Sequence, residues 1–252
     1  MRPNRIIIPL LVISVVFISP AGGAEPDTRK NDTLFVGKFS EADPAENTPS
    51  GWEPLTFEKI EKHTEYRLVE DNGTTVVRAQ SDASASGWIR KMRIDPRKYP
   101  VIQWRWRATG IYENGDVTRK SGDDYPARIY IAFEYDPDKV GFWERAKFKT
   151  IKVIHGEYPP IGAINYIWAS NAPEGKMVPN AYTDRVRMVV VESGKKTAGT
   201  WVSESRNILE DYKAAFGEDP PMIRGIAIMT DSDNTGESTV TYYGDIVMKA
   251  AE

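Results

Sequence analysis

Two strongly alternating stretches, Val101–Gly110 and Gly122–Asp136, carry the side chains best suited to chemistry. Neighbouring strand residues point to opposite faces, so each stretch has an apolar face and an opposite, charged face. Arg105 lies on the charged face of the first stretch, and Arg128 and Glu134 lie on that of the second. Guanidinium and carboxylate groups on one enclosed face either bind a polar ligand or pair with each other across strands.

Three carboxylates, Glu134, Asp231 and Asp245, are the candidate catalytic residues. Asp231 follows an apolar strand predicted over Met222–Thr230, and Asp245 belongs to a closing strand predicted over Ser238–Lys249. Two carboxyl groups about 5 to 9.5 Å apart can cleave a glycosidic bond. The alternative is that these acids form ion pairs with the arginines across strands, and the sequence leaves both interpretations open.

Aromatic rings beside amides and charged groups are typical of sugar-binding surfaces, because a ring packs on the apolar side of a sugar while polar groups bind its hydroxyls. The segment Asn165–Asn171 and the pair Tyr242-Tyr243 offer this mixture. The alternative is that Tyr166 and Trp168 belong to the core, as aromatic residues in strands usually do. The predicted ligand-binding residues are Arg105, Arg128, Glu134, Trp168, Asn171, Asp231, Tyr243 and Asp245.

The loop Asp231–Gly236 is the one candidate metal site. It presents oxygen ligands at alternate positions before a glycine, as an EF-hand loop begins, but its twelfth position is Tyr242 rather than glutamate. Two interpretations remain: a turn made of turn-forming residues, or a structural calcium ion held by Asp231 and Asp233. No other cofactor is predicted, because the chain has no cysteine, two histidines without zinc-like spacing, no nucleophile elbow and no phosphate-binding glycine loop.

The N-terminal segment has the features of a signal peptide. Met1–Arg5 is basic, Ile6–Ile18 is apolar, and small residues lead to a predicted cleavage after Ala24. The apolar run is shorter than the roughly 20 residues that a spanning helix needs, although an uncleaved anchor is the alternative. Removing residues 1–24 changes the net charge from −3 to −5. The sequence therefore predicts a periplasmic or secreted protein with no integral membrane segment after cleavage and no nucleic-acid partner.

The rest of the chain predicts one mainly β domain. Residues 25–32 form a polar, disordered tether, and residues 33–250 form a single β-sandwich or jelly roll of nine or ten strands with two short helices. The helices are predicted over Lys139–His155 and Ile208–Phe216, and a loop over Asn171–Asn180. The first helix is basic and amphipathic, so it either packs across a sheet or lies on a membrane surface.

Several segments occur together in a recognisable order: IQWRWR, GDDYPARIYIAF, INYIWASN, IAIMTDSDNTG and YYGDI. From about Thr33 to Met248 the chain resembles DUF3047, a family of bacterial exported proteins of unknown function. The resemblance implies an exported β protein and supplies no established catalyst. The segment YYGDI is also similar to the closing strand of carbohydrate-binding jelly rolls, which is an analogy of fold alone.

The leading prediction is a periplasmic protein that binds a glycan or a related polyhydroxyl ligand on a polar sheet face. One alternative is a carbohydrate-active enzyme, a glycoside hydrolase or lyase, that uses Glu134 with Asp231 or Asp245. Another is a structural envelope protein whose arginines and acids only hold strands together.

Overall fold

The computed structural model describes residues 29–30, 32–155 and 158–250. They form two β-sheets and two helices, which confirms the predicted mainly β sandwich. The strands are β1 (Arg29–Lys30), β2 (Thr33–Gly37), β3 (Trp52–Leu55), β4 (Glu65–Asp71), β5 (Thr74–Asp82), β6 (Ala85–Ile94), β7 (Val101–Ala108), β8 (Arg128–Phe133), β9 (Gly162–Ala169), β10 (Met177–Asn180), β11 (Thr183–Ser193), β12 (Val202–Asn207), β13 (Ile223–Asp231) and β14 (Ser238–Lys249). The helices are α1 (Phe142–His155) and α2 (Ile208–Phe216).

The long strand β14 organises the first sheet. Along one side it pairs with β5 through residues 238–243 and with β2 through residues 246–249. Along its other side it pairs with β7, which in turn pairs with β12. The second sheet has the order β10-β11-β9-β8-β13-β6-β3, with β9 and β11 parallel.

The core lies between the two sheets and is rich in aromatic rings. Trp104 of β7 stacks on Tyr166 of β9 with ring centroids 5.4 Å apart, and Trp106 contacts Trp168 at 6.1 Å. All four side chains are buried within one hydrophobic cluster. Pairs of this kind add about 0.5–1.5 kcal/mol each beyond the burial of their area. The alternation in β7 therefore places its tryptophans in the core and its arginines outside.

Local sequence signals fix several turns and helix ends. The hairpin between β4 and β5 turns at Asn72 and Gly73, whose φ values are +52° and +78°. Helix α2 has the predicted bounds: the side chain of Asn207 accepts hydrogen bonds from the backbone N–H groups of Leu209 and Glu210. Gly217 ends the helix with a φ of +76°.

Two strands of the second sheet were not predicted. Residues 177–180 form β10, although the whole of Asn171–Asn180 is predicted as a loop, and β3 forms over Trp52–Leu55, where no strand is predicted. Both are four-residue edge strands that contain a proline, Pro179 and Pro54. Proline removes a hydrogen-bond donor but is tolerated at a sheet edge, so the sequence signal for a strand is weak there.

The predicted signal peptide, residues 1–24, lies outside the described residues, as does most of the predicted tether. Arg29 and Lys30 of that tether pair with β2 as the short strand β1. Within the part of the chain that is described, neither helix has the length and apolar character needed to cross a bilayer.

Candidate functional site

The outer face of the first sheet carries a row of arginine and aromatic side chains. Tyr242 of β14 lies opposite Arg107 on β7 and opposite Arg78 on β5, and Arg78 in turn lies opposite Arg67 on β4. Trp201 precedes β12 and extends the row past Arg107. The neighbouring residues in these strands point into the core, so the row faces outwards. We call these five residues the arginine–aromatic row.

Arg107 lies at the centre of this row. Its guanidinium carbon is 4.3 Å from the ring centroid of Tyr242 and 5.1 Å from that of Trp201. One of its nitrogens donates to Oδ1 of Asp71 at 3.1 Å, and the Trp201 indole N–H donates to Oδ2 of the same carboxylate at 3.0 Å. The Trp201 hydrogen bond and the two nearby arginines, Arg107 and Arg105, keep the pKa of Asp71 below its ordinary value.

Arg105 lies beside the arginine–aromatic row, and its hydrogen-bond donors are accessible. Its guanidinium carbon lies 4.7 Å from the ring centroid of Trp201, and its aliphatic stem crosses Gly244. A Cβ at position 244 would lie 2.5 Å from Cγ and Nε of Arg105, so glycine is required for this arrangement. Arg105 is partly exposed and donates no hydrogen bond to any residue that the structure describes. Its guanidinium is therefore held in place by stacking while its donors remain available.

A second polar cluster lies on the outer face of the second sheet, but it is buried. Arg128, which is 3% exposed, donates from Nε to Oδ1 of Asp231 at 2.6 Å and forms a second contact to Oδ2 of that residue. It also donates to the backbone oxygen of Asp123 at 2.8 Å and to the hydroxyl of Tyr130 at 3.2 Å. The Tyr125 ring lies 4.5 Å from the guanidinium carbon. These contacts satisfy Arg128 internally, as in the predicted alternative of a cross-strand ion pair.

The same cluster contains more negative charge than Arg128 neutralises. Burial raises the pKa of Asp123, against hydrogen bonds from Asn180 and Tyr125 that favour the ionised form. Burial and the adjacent Asp124 also raise the pKa of Asp233. Asp124 has its hydrogen-bond partners, because the backbone N–H groups of residues 234–235, in the loop after β13, donate to its carboxylate. This carboxylate holds the loop Asp231–Gly236 against the segment that precedes β8.

The predicted calcium site coincides with part of this cluster. Carboxylate oxygens of Asp124, Asp231 and Asp233 lie within 4.8 Å of one another. Calcium binding there remains a prediction from the sequence. If it is right, calcium should raise the melting temperature and a chelator should lower it, because a ligand that binds only the folded state stabilises it. Identical melting curves in calcium and in chelator would contradict the prediction and leave the loop as a turn.

The three candidate catalytic carboxylates are not brought together. Glu134 follows the end of β8 and pairs with Arg93 at 2.9 Å, whereas Asp231 contacts Arg128 at the start of that strand. The six-residue separation corresponds to roughly 20 Å along a strand, well beyond the spacing for glycoside cleavage. Asp245 lies on the first sheet and accepts two hydrogen bonds from Ser40, at 2.8 and 2.6 Å. The predicted pairing of Glu134 with Asp231 or Asp245 is therefore not seen.

The other predicted ligand-binding residues also lie apart. Trp168 is fully buried in the core, in agreement with the structural alternative. Tyr243 is buried between the sheets, and its hydroxyl contacts the backbone oxygen of Met229 at 2.6 Å. Asn171 is exposed just after β9. Of the eight predicted residues, Arg105 is the one that lies on an accessible face with its guanidinium stacked on a ring and its donors available.

Sequence reasoning missed a different acidic pair, Glu204 and Glu192. Glu204 shares the inner face of β12 with the tryptophans of β7, and its Oε1 is buried without a hydrogen-bond partner. Burial and the negative charge of Glu192 raise the pKa of Glu204 from 4.5 to about 7, although the nearby indole of Trp106 favours the ionised form. The polar alternation of β12 resembles an exposed edge strand and gave no sign of this burial. Trp201 was also missed, because its importance depends on the strand pairing.

Comparison with known proteins gives a family and a distant fold likeness. The family model described as "Protein of unknown function (DUF3047)" matches residues 50–247. The K1 cleaved adhesin domain of Lys-gingipain from Porphyromonas gingivalis W83 is 9% identical with a TM-score of 0.39, over 87% of this chain and 99% of that domain. The K3 domain of the same protein is also 9% identical with a TM-score of 0.36, over 80% and 93%. No curated protein matches the chain.

Proposed function

Because the chain belongs to the DUF3047 family of proteins of unknown function, its activity must be inferred from its own surface, and we propose that it binds an acidic glycan outside the cytoplasm. The binding surface is the arginine–aromatic row together with Arg105. The predicted signal peptide supports export, and the periplasm or the medium is where such glycans are met.

The observation that carries this proposal is the geometry of Arg105. A guanidinium has five N–H donors in a planar fork that suits carboxylates and pairs of hydroxyls. Here the fork is stacked on Trp201 and held across Gly244, so little conformational entropy is lost when a ligand binds. An arginine that served only to join strands would instead be paired, as Arg128 is with Asp231.

Charge favours an acidic over a neutral glycan. The row and Arg105 contribute four arginines, Arg67, Arg78, Arg105 and Arg107. Two carboxylates of this face pair with them: Asp71 with Arg107, and the exposed Glu65 with Arg67. This surface is therefore positive on a chain whose net charge is −3. A glycan that bears carboxylates matches it in sign, and Trp201 and Tyr242 offer rings to the apolar faces of its sugars.

The proposal is tested with polygalacturonate as the probe and its methyl-esterified form as the neutral control. The full chain should bind the acidic polymer more tightly in titration calorimetry. Arg105→Ala should weaken that binding by about tenfold or more, because hydrogen bonds to charged groups contribute about 1.5–3 kcal/mol. Trp201→Ala should weaken it as well, since it removes the ring that supports both Arg105 and Arg107.

Arg93→Ala is the matched control. It removes an exposed arginine that pairs with Glu134 on the second sheet, away from the proposed surface. Its affinity for polygalacturonate should equal that of the unmodified chain, and all variants should melt cooperatively. Equal binding of the esterified polymer, an equal loss in Arg93→Ala, or no binding to either polymer would contradict the proposal.

A further inference from the structure

Helix α1 presents exposed aromatic residues to solvent. Phe142 and Trp143 open the helix, and they are 76% and 83% exposed. They are the exposed large hydrophobic side chains of the described residues, and their rings form a perpendicular pair with centroids 5.5 Å apart. Two adjacent aromatic rings in water are costly, so their position calls for an apolar partner.

The opposite side of the helix is anchored to the fold. Phe148 is buried and stacks on Tyr135 just beyond β8, with ring centroids 4.5 Å apart. Trp143 and Thr150 are seven residues apart, which is about two helical turns, so they lie on the same side of the helix. That side is turned away from Phe148 and from the body of the protein. Trp143 and Thr150 are both exposed. The helix is fixed with its aromatic N-terminal turn directed outwards.

The helix is also basic, although the protein is acidic. Its sequence contains four lysine and arginine residues and one glutamate, against a net charge of −3 for the whole chain. Of these basic residues, Arg145, Lys149 and Lys152 are exposed. Arg145 donates to the backbone oxygen of Val140 and Lys152 lies 4.5 Å from the ring centroid of Tyr158, whereas Lys149 is open to solvent. Interfacial helices combine this composition with tryptophan and phenylalanine at the level of lipid headgroups.

We propose that α1 docks this protein on the surface of an anionic phospholipid bilayer. Phe142 and Trp143 enter the interfacial region, and Lys149, which is exposed next to Thr150, faces the headgroups. Charge complementarity favours an anionic bilayer over an apolar protein groove as the partner of α1, because basic residues add attraction only at a negative surface. This docking does not depend on glycan binding, since α1 lies beyond β8 of the second sheet and the proposed glycan surface is on the first.

The absence of cysteine from the chain permits a local test. Thr150→Cys, labelled with an environment-sensitive nitrobenzoxadiazole fluorophore, places the probe on the exposed side of α1. Thr56→Cys is the matched control at another exposed threonine. Phosphatidylglycerol vesicles should shift the emission of the probe at 150 to the blue, whereas pure phosphatidylcholine vesicles should not. The probe at 56 should respond to neither.

Adding Phe142→Ser and Trp143→Ser to the Thr150→Cys chain should weaken vesicle binding by at least about tenfold, because the burial of two aromatic rings is lost. All of these chains keep residues 1–24, so binding through that segment is common to them. An unchanged probe at 150 with phosphatidylglycerol, or unchanged affinity in the serine variant, would overturn the proposal. A blue shift that follows protein concentration without vesicles would also overturn it, in favour of a second copy of this chain.

Discussion

Replacing Arg128 with methionine is expected to lower the free energy of unfolding by about 3–5 kcal/mol, the range for a buried ion pair that loses one partner. The guanidinium is 3% exposed and contacts both oxygens of Asp231, which is itself 1% exposed. Methionine fills much of the volume but leaves the carboxylate buried without its cation. Asp123 and Asp233 lose the same favourable charge, which adds to the cost.

Urea unfolding at pH 7, followed by circular dichroism, measures this loss. The double variant Arg128→Met/Asp231→Leu should recover at least about half of it, because it removes the stranded carboxylate and replaces the pair with apolar groups. Arg93→Met, which breaks an exposed pair with Glu134, should cost far less than Arg128→Met, because solvent screens the exposed pair. A cost for Arg128→Met no larger than that of Arg93→Met would show that the Arg128 pair does not stabilise the fold.

Burial of the Arg128 cluster explains why the sequence could not decide between a ligand site and ion pairs on this face of the second sheet. Alternation correctly placed Arg128 on the side opposite the core residue Ile129. It did not show that the loop before β8, which contains Asp123 and Asp124, folds back over that side. Whether a loop covers a sheet face is decided by tertiary packing, and the alternation within one strand carries no information about it.

The limits of some elements and the inner faces of the strands, in contrast, were predictable because they depend on local periodicity. Helix α1 nevertheless begins at Phe142 rather than at the predicted Lys139. β14 and α2 have the predicted limits, and the tryptophans of β7 lie in the core as the alternation indicates. The candidate site was only partly predictable. Arg105 was identified from its own strand, but its partner Trp201 joins it only through the pairing of β7 with β12. Alternation within one strand does not reveal which strand lies beside it.

Glu204→Gln is expected to raise the free energy of unfolding at pH 7.5 by about 1–2 kcal/mol. The full shift in the pKa of Glu204, from 4.5 to about 7, corresponds to more than this, but the side chain is partly open to solvent and screening reduces the effect. At pH 7.5, above this pKa, most of the carboxylate is ionised beside Glu192, with its Oε1 buried and unpaired. Glutamine removes that charge with almost no change in volume.

The sign of the pH dependence follows from the direction of the shift. A carboxyl group whose pKa is raised by folding binds more protons in the folded than in the unfolded state between the two pKa values, so stability falls as pH rises across that interval. The unmodified chain should therefore lose stability between about pH 4.5 and pH 7 through this group, and Glu204→Gln should flatten that part of the curve. Asp123 and Asp233, whose pKa values are also raised, contribute equally to both chains, so the difference between the curves isolates Glu204.

Glu58→Gln, at an exposed position in the loop after β3, is the matched control and should leave the curve unchanged. Arg206 is the nearby cation that favours the ionised form of Glu204, whereas Glu174 and Glu192 oppose it. Glu192→Gln should therefore give a smaller stabilisation in the same direction, because it lowers the pKa of Glu204 without neutralising it. Parallel stability curves for the unmodified chain and Glu204→Gln from pH 4.5 to 7.5 would contradict the assignment and place Glu204 in contact with water.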